Sequence, residues 1–189
     1  MKLTIRELTP SLWPSVEELF GKSGACGGCW CQAWRIEKGE KWEGIKGDAA
    51  RKRLKKQIEK GTTMAVLAFD GKNPVGWCTF GPRLSFPRLN RAPSLKCDDA
   101  EKVWSLPCFF VHRNYRGKGV ATAMLKHSLE IMKKRGAPVA EGYPAKPYKD
   151  GTYIPAFSWT GTISLFKKAG FKVAGNPDGG KVRVRKQLK

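Results

Sequence analysis

Residues 112–126 read HRNYRGKGVATAMLK, and their types and order suit them to holding an anion. The second half, from Val120 onward, is a good helix former. Backbone N–H groups at a helix start lack intrahelical partners and lie at the positive end of the helix dipole. Gly117 and Gly119 let an anion approach those groups without an intervening Cβ. Arg116 and Lys118 add charge, and a guanidinium grips a phosphate through two parallel bonds. The chemistry implied is binding of a pyrophosphate-like group. Two common phosphate motifs do not fit. No G-x-x-x-x-G-K-[ST] run occurs, and Gly117, Gly119 and Thr122 give only G-x-G-x-x-T rather than a dinucleotide fingerprint.

The surrounding pattern says what must position this loop. Residues 103–111, VWSLPCFFV, form a nearly continuous apolar run, as expected of a central strand covered on both faces, and Pro107 predicts a bulge or splay within it. After the loop, Val120, Ala121, Met124, Leu125, Leu129, Ile131 and Met132 recur at helical spacing up to Gly136. Upstream, residues 3–8 alternate as a strand, and 11–20 read as a short helix with Ser11 or Ser15 as its cap. Ala50, Leu54 and Ile58 then mark an amphipathic helix with a basic outer face. Residues 62–70 and 73–82 predict an antiparallel hairpin about the turn signal DGKN. Residues 137–144 predict a strand, 162–170 a helix ending at Gly170, and 171–175 and 181–188 a last pair of strands joined across NPDGG. The order β-α-α-β-β-β-α-β-α-β-β implies a mixed α/β fold, with a single domain over residues 1–189.

The run Arg116-Gly117-Lys118-Gly119-Val120-Ala121 matches R-x-x-G-x-A, and LFKKAGF (Leu165 to Phe171) matches L-[YF]-x-x-x-G-F. With the strand before the loop and the helix after it, these motifs resemble the GNAT superfamily of acetyl-CoA-dependent N-acetyltransferases, here with an N-terminal Cys-Trp-Cys loop. The resemblance covers most of the chain. It implies a mixed, centrally splayed sheet flanked by helices, with acetyl-CoA (coenzyme A) as co-substrate. Backbone groups of Phe109, Phe110 and Val111 would lie beside the pantetheine arm and acetyl group. The amides of Arg116, Gly117, Lys118, Gly119, Val120, Ala121 and Thr122 would hold the pyrophosphate. The implied reaction is direct attack of an amine on the thioester, with the Val111 N–H or a neighbour stabilising the oxyanion.

That reaction also asks for a general base and a proton for the departing thiolate. Glu141 is the best-placed carboxylate by sequence; a surface or Arg-paired role is the alternative. Many family members carry Tyr where this chain has Phe166. Tyr143, Tyr153 and Ser164 are the candidate replacements, with solvent as a further one. His112 stands beside the expected cofactor loop, either as a contact or as a turn residue. His127 is expected on a solvated helix face.

Residues 26–35, CGGCWCQAWR, form the other unusual stretch. Cys26, Cys29 and Cys31 have spacing compatible with a metal or redox site, but no fourth ligand lies nearby, and no metal is assigned. Trp30, Trp34 and Arg35 are expected to wall an acceptor site; packing of the loop onto the core is the competing reading. In residues 81–93, Arg83, Arg88 and Arg91 are interleaved with Phe86 and prolines, which suits a nucleotide, an RNA segment or an acidic small molecule, and equally an ordinary solvated loop.

The 189 residues carry 36 Lys and Arg against 16 Asp and Glu, a formal net charge of +20. This keeps open an alternative in which the same fold is a basic, polyanion-binding protein, RNA-, DNA- or ribosome-associated. No run approaches the roughly 20 apolar residues of a membrane span. Arg6 and Glu7 stand where a signal peptide needs an apolar core. A cytoplasmic location with reduced thiols is expected. The acceptor amine, whether small molecule, peptide or protein, is not identified by the sequence, and neither is oligomeric state.

Overall fold

In the computed structural model, residues 2–148, 150–154, 158–175 and 181–188 are described. Their strands are β1 (Leu3–Glu7), β2 (Met64–Asp70), β3 (Asn73–Pro82), β4 (Val103–Val111), β5 (Val139–Gly142), β6 (Lys172–Ala174) and β7 (Arg183–Gln187). They form one sheet in the order β1-β2-β3-β4-β5-β7-β6. All neighbours are antiparallel except β4 and β5, which run parallel. A parallel pair needs a crossover, and helix α5 (Val120–Lys134) supplies it. The last two strands pair as expected, while the NPDGG turn falls outside the described residues.

Two apolar layers sandwich the sheet. On one face the stripe Val120, Met124, Leu125, Leu129 and Met132 of α5 packs with Val66, Cys78, Leu106 and Ala140. Gly76 lets that helix come close: a Cβ there would stand 2.8 Å from Val120 Cγ1. Gly76 pairs with Val111, so the same close approach brings the start of α5 beside the end of β4. On the other face, α1 (Trp13–Phe20) and α3 (Asp48–Glu59) bury Val16, Phe20, Leu54 and Ile58 against Leu67, Trp77 and Cys108.

Three expectations change. α1 is entered from a 3-10 turn at Pro10–Leu12 with Leu12 at its cap, and Ser11 bonds Thr9 instead, so neither Ser11 nor Ser15 caps it. A four-residue helix, α2 (Trp42–Ile45), precedes α3. The Arg-rich stretch after β3 is not a solvated loop. It folds through α4 (Pro87–Arg91) and 3-10 turns, and fully buries Arg83, Phe86, Leu89 and Leu95. The alternating Pro and Arg residues hid an apolar triad whose spacing follows no single period.

Candidate active site

Pro107 does what a proline in a central strand must do. Across it, Ser105 pairs with Gly81 but Cys108 with Thr79, so β4 carries one residue more than β3 over this span, a β-bulge. β5 pairs with β4 only from Val103↔Val139 to Leu106↔Gly142. Beyond the bulge, the β5 side of β4 is open. The freed Pro107 carbonyl accepts the indole N–H of Trp34 at 2.9 Å.

Backbone alternation assigns the groups that face the opening. His112 N–H bonds Val75 of β3, so the amides of residues 110 and 108 also point to β3, while those of 109 and 111 point away. The Phe109 N–H donates to the Trp159 carbonyl at 2.6 Å. The Val111 carbonyl accepts Arg116 Nε at 3.1 Å, and the Val111 N–H is directed into the same gap.

A cleft of 630 Å³ runs from this gap along the start of α5. Its lining brings together Phe109, Phe110, Val111, Arg116, Gly117, Gly119, Val120, Ala121 and Thr122. Gly117 and Gly119 hold φ of 74° and 80°, and a Cβ on either would meet nothing within 4 Å. They therefore make the turn and leave the cradle open. The first intrahelical bond from the Gly119 carbonyl goes to Ala123, so the Val120, Ala121 and Thr122 amides have no helical partner. Lys118 departs from expectation: it does not line the cleft, and its ammonium sits 5.6 Å from the Tyr115 ring centroid.

The far wall comes from residues that sequence reasoning missed: Ser158, Trp159, Gly161, Thr162, Leu165 and Lys168. The one local signal for them was Thr162, whose hydroxyl accepts the Leu165 amide as the cap of α6 (Ile163–Lys168). Tyr153 and Ser164 also face the cleft. Phe166 does not. It is fully buried, edge-on to Phe109 and Phe171, and lies against Gly142 and Gly161. A Cβ on Gly142 would stand 2.3 Å from its ring. Gly142→Ala is thus expected to cost about 1–3 kcal/mol by overpacking, read as a lowered thermal midpoint; an unchanged midpoint would contradict this packing.

Two expected catalytic residues lie elsewhere. Glu141 is fully buried beneath the folded stretch after β3, and its carboxylate accepts Arg83 Nη1 at 2.5 Å, Arg185 Nε at 2.6 Å and Arg183 Nη1 at 3.2 Å. A carboxylate engaged by three guanidiniums and closed to solvent cannot collect a proton from an incoming amine. Tyr143 is buried in the same network, bonded to Arg83 at 2.7 Å and to Ser105 at 2.6 Å. Burial and the neighbouring Glu141 raise its pKa well above the usual phenol value. Both belong to this buried network, and neither lines the cleft. Asp99, paired with Arg185 and held at about 2 by that hydrogen bond, extends the network to the surface.

A second cavity, of 410 Å³, adjoins the cleft at Ala25, Cys26, Phe109, Phe110 and Trp159. Trp34 lines it, with Phe20, Trp42 and Arg88, and so do Cys26, Cys29, Cys31 and Cys108. Trp30 and Arg35 are corrections to the expected wall. Trp30 packs on Trp13 and Phe20 in the core. Arg35 lies over Phe86, donates to the Ser85 carbonyl, and is lowered to about 10 by burial. The thiols are held by their surroundings. Cys31 accepts Trp77 Nε1 at 2.8 Å, burial pushes Cys29 up to about 11, and the Cys31 hydrogen bond with burial raises Cys108 well above its usual value. Among the described residues, no group of three or more His, Cys, Asp or Glu is arranged to hold a metal.

The model of the acetyltransferase (GNAT) family matches residues 30–141. The chain belongs to the GNAT acetyltransferase family. Solved GNAT structures share the whole fold. An N-acetyltransferase from Staphylococcus aureus Mu50 is 15% identical, with 100% of both chains covered and a TM-score of 0.60. The PaiA N-acetyltransferase of Thermoplasma acidophilum, in complex with coenzyme A, is 18% identical over 99% of each chain, TM-score 0.58. The phosphinothricin acetyltransferase of Sinorhizobium meliloti, in complex with acetyl-CoA, is 15% identical over 100% of this chain and 89% of that one, TM-score 0.57. No curated protein matches in sequence. As a GNAT enzyme the chain uses acetyl-CoA as co-substrate. No described helix is long and apolar enough to cross a membrane.

Proposed function

We propose that this GNAT enzyme acetylates a primary amine by direct attack on acetyl-CoA, with the cofactor in the 630 Å³ cleft and the acceptor in the adjoining 410 Å³ cavity. The observation that carries this is the parting of β4 from β5 after Leu106 and Gly142, which opens a slot ending at a two-glycine helix start. The residues fit the group: free amides at 120–122 and the Arg116 guanidinium suit a pyrophosphate, and the strand gap suits an extended amide-bearing arm. Acetyl-CoA supplies an activated acyl group and a thiolate leaving group. Val111 N–H, aimed into the gap, stabilises the carbonyl oxygen as charge develops there. Tyr153 and Ser164, which line the cleft, are the candidate hydroxyls for protonating the departing sulfur. The relatives solved with coenzyme A (Thermoplasma) and with acetyl-CoA (Sinorhizobium) support the use of this cofactor.

Neither cavity is lined by an Asp, Glu or His among the described residues. Cys29 and Cys108, with raised pKa values, stay protonated near neutral pH and do not serve as bases. In this mechanism the amine arrives neutral or loses its proton to water. The expected kcat/KM profile rises about tenfold per pH unit up to the acceptor's own pKa, because the neutral fraction grows by that factor. Acetyl-CoA-dependent thiol release between pH 6 and 9 measures it. A plateau set by an ionisation near 6–7, the same for amines of different basicity, would reveal an enzymic base and contradict this mechanism.

The polyanion-binding alternative gains nothing from the site. On the basic outer face of α3, Arg51 and Arg53 are paired with Glu17 and Glu40.

A further inference from the structure

We infer that the acceptor is an amine on an aromatic or apolar body that also carries a carboxylate, bound by Arg88 with Lys181 beside it. The inference rests on the acetyl-transfer reading and names the substrate class for that site. The body of the cavity is apolar: Phe20, Trp34, Trp42, Phe110 and Trp159 contribute rings, and Cys29 and Cys108 contribute protonated thiols. At 410 Å³ it admits a single-ring molecule. Among the described residues, Arg88 is the one charged residue in its lining. The guanidinium is held in place rather than free: Nη1 donates to the Ala33 carbonyl at 3.2 Å and the group lies 5.8 Å from the Trp34 ring centroid. Its remaining N–H groups have no carboxylate partner among the described residues.

Lys181 is a second cation, and among the described residues no carboxylate is paired with it. Its ammonium stands 5.9 Å from the Trp159 ring centroid, and burial together with Arg88 lowers its pKa. Two cations that repel each other are therefore kept together beside Trp34 and Trp159, rings 5.6 Å apart. An anion on the ligand relieves that repulsion. The cavity meets the cleft at Ala25, Cys26, Phe109, Phe110 and Trp159, and the acetyl group would be presented on the Phe109 and Phe110 side, whereas Arg88 lines the cavity alone. The amine belongs on the Phe109 and Phe110 side and the carboxylate at Arg88. The same unpaired positive charge disfavours an ammonium, so it also favours the neutral amine that the reaction needs.

The test compares 4-(aminomethyl)benzoate with 4-methylbenzylamine, which share ring and amine and differ in charge, using acetyl-CoA-dependent thiol release. The expected KM is about 10- to 100-fold lower for the carboxylate, the range of a charge-assisted contact. In Arg88→Met that ratio collapses to within about threefold, while stabilisation of the variant by acetyl-CoA shows it folded and competent to bind. Equal KM values in the wild type, or no turnover of either amine by protein that binds acetyl-CoA, overturns the carboxylate assignment. Failure of the wild type to bind acetyl-CoA at all overturns the acetyl-transfer reading beneath it.

Discussion

Glu141→Gln is expected to lower folding stability by about 3–5 kcal/mol, the cost of stranding a buried charge. The charge stranded is Arg83, whose side chain is 0% exposed and whose nearest anion is Glu141. Its remaining contacts, to the Leu89 and Leu95 carbonyls, Asn90 and Tyr143, satisfy donors but do not neutralise the charge. Arg183 and Arg185 lose the same partner, though Arg185 keeps Asp99. For a chain of this size the thermal midpoint should fall by roughly 6–20 °C. The protein that remains folded should turn over substrate at close to the wild-type rate. A catalytic base would give the opposite pattern, an unchanged midpoint with a large loss of kcat. Thermal unfolding and turnover on one preparation separate the two.

Gly119→Trp is expected to weaken acetyl-CoA binding by at least about 100-fold. Gly119 sits at φ 80° before the first turn of α5, with nothing within 4 Å of the position a Cβ would take. An indole placed there occupies the space over the Val120 to Thr122 amides. The positive φ adds backbone strain of about 1–3 kcal/mol, which leaves the fold intact and the loss of binding interpretable. Calorimetric titration reads the effect; wild-type affinity in the variant would mean that the phosphates bind elsewhere.

The cleft along the end of β4 and the start of α5 was legible because its signals are local. Two glycines, an arginine and a helix start within seven residues define an anion cradle whatever surrounds them, and Pro107 announces a break in any strand that contains it. The Arg-paired setting of Glu141 is fixed at long range. Nothing within VAEGYP reveals that Arg83, 58 residues away in sequence, points at Glu141. The acceptor wall divides on the same ground. Trp30, Trp34 and Arg35 share one short segment, and only tertiary packing turns Trp34 toward the cavity and the other two into the core. Trp159 carries no local signal; its part, a carbonyl that ties off the Phe109 amide, exists only because β4 and β5 have separated.

Acetyl-CoA should be held between the opened strand and its glycine turn. Thermal unfolding of the wild-type protein with acetyl-CoA at 100 times its dissociation constant should show a stabilisation of about 2.7 kcal/mol. That corresponds to a midpoint raised by roughly 5–11 °C. A midpoint that does not move in millimolar acetyl-CoA would reduce the parted strands and the glycine turn to features of the fold alone.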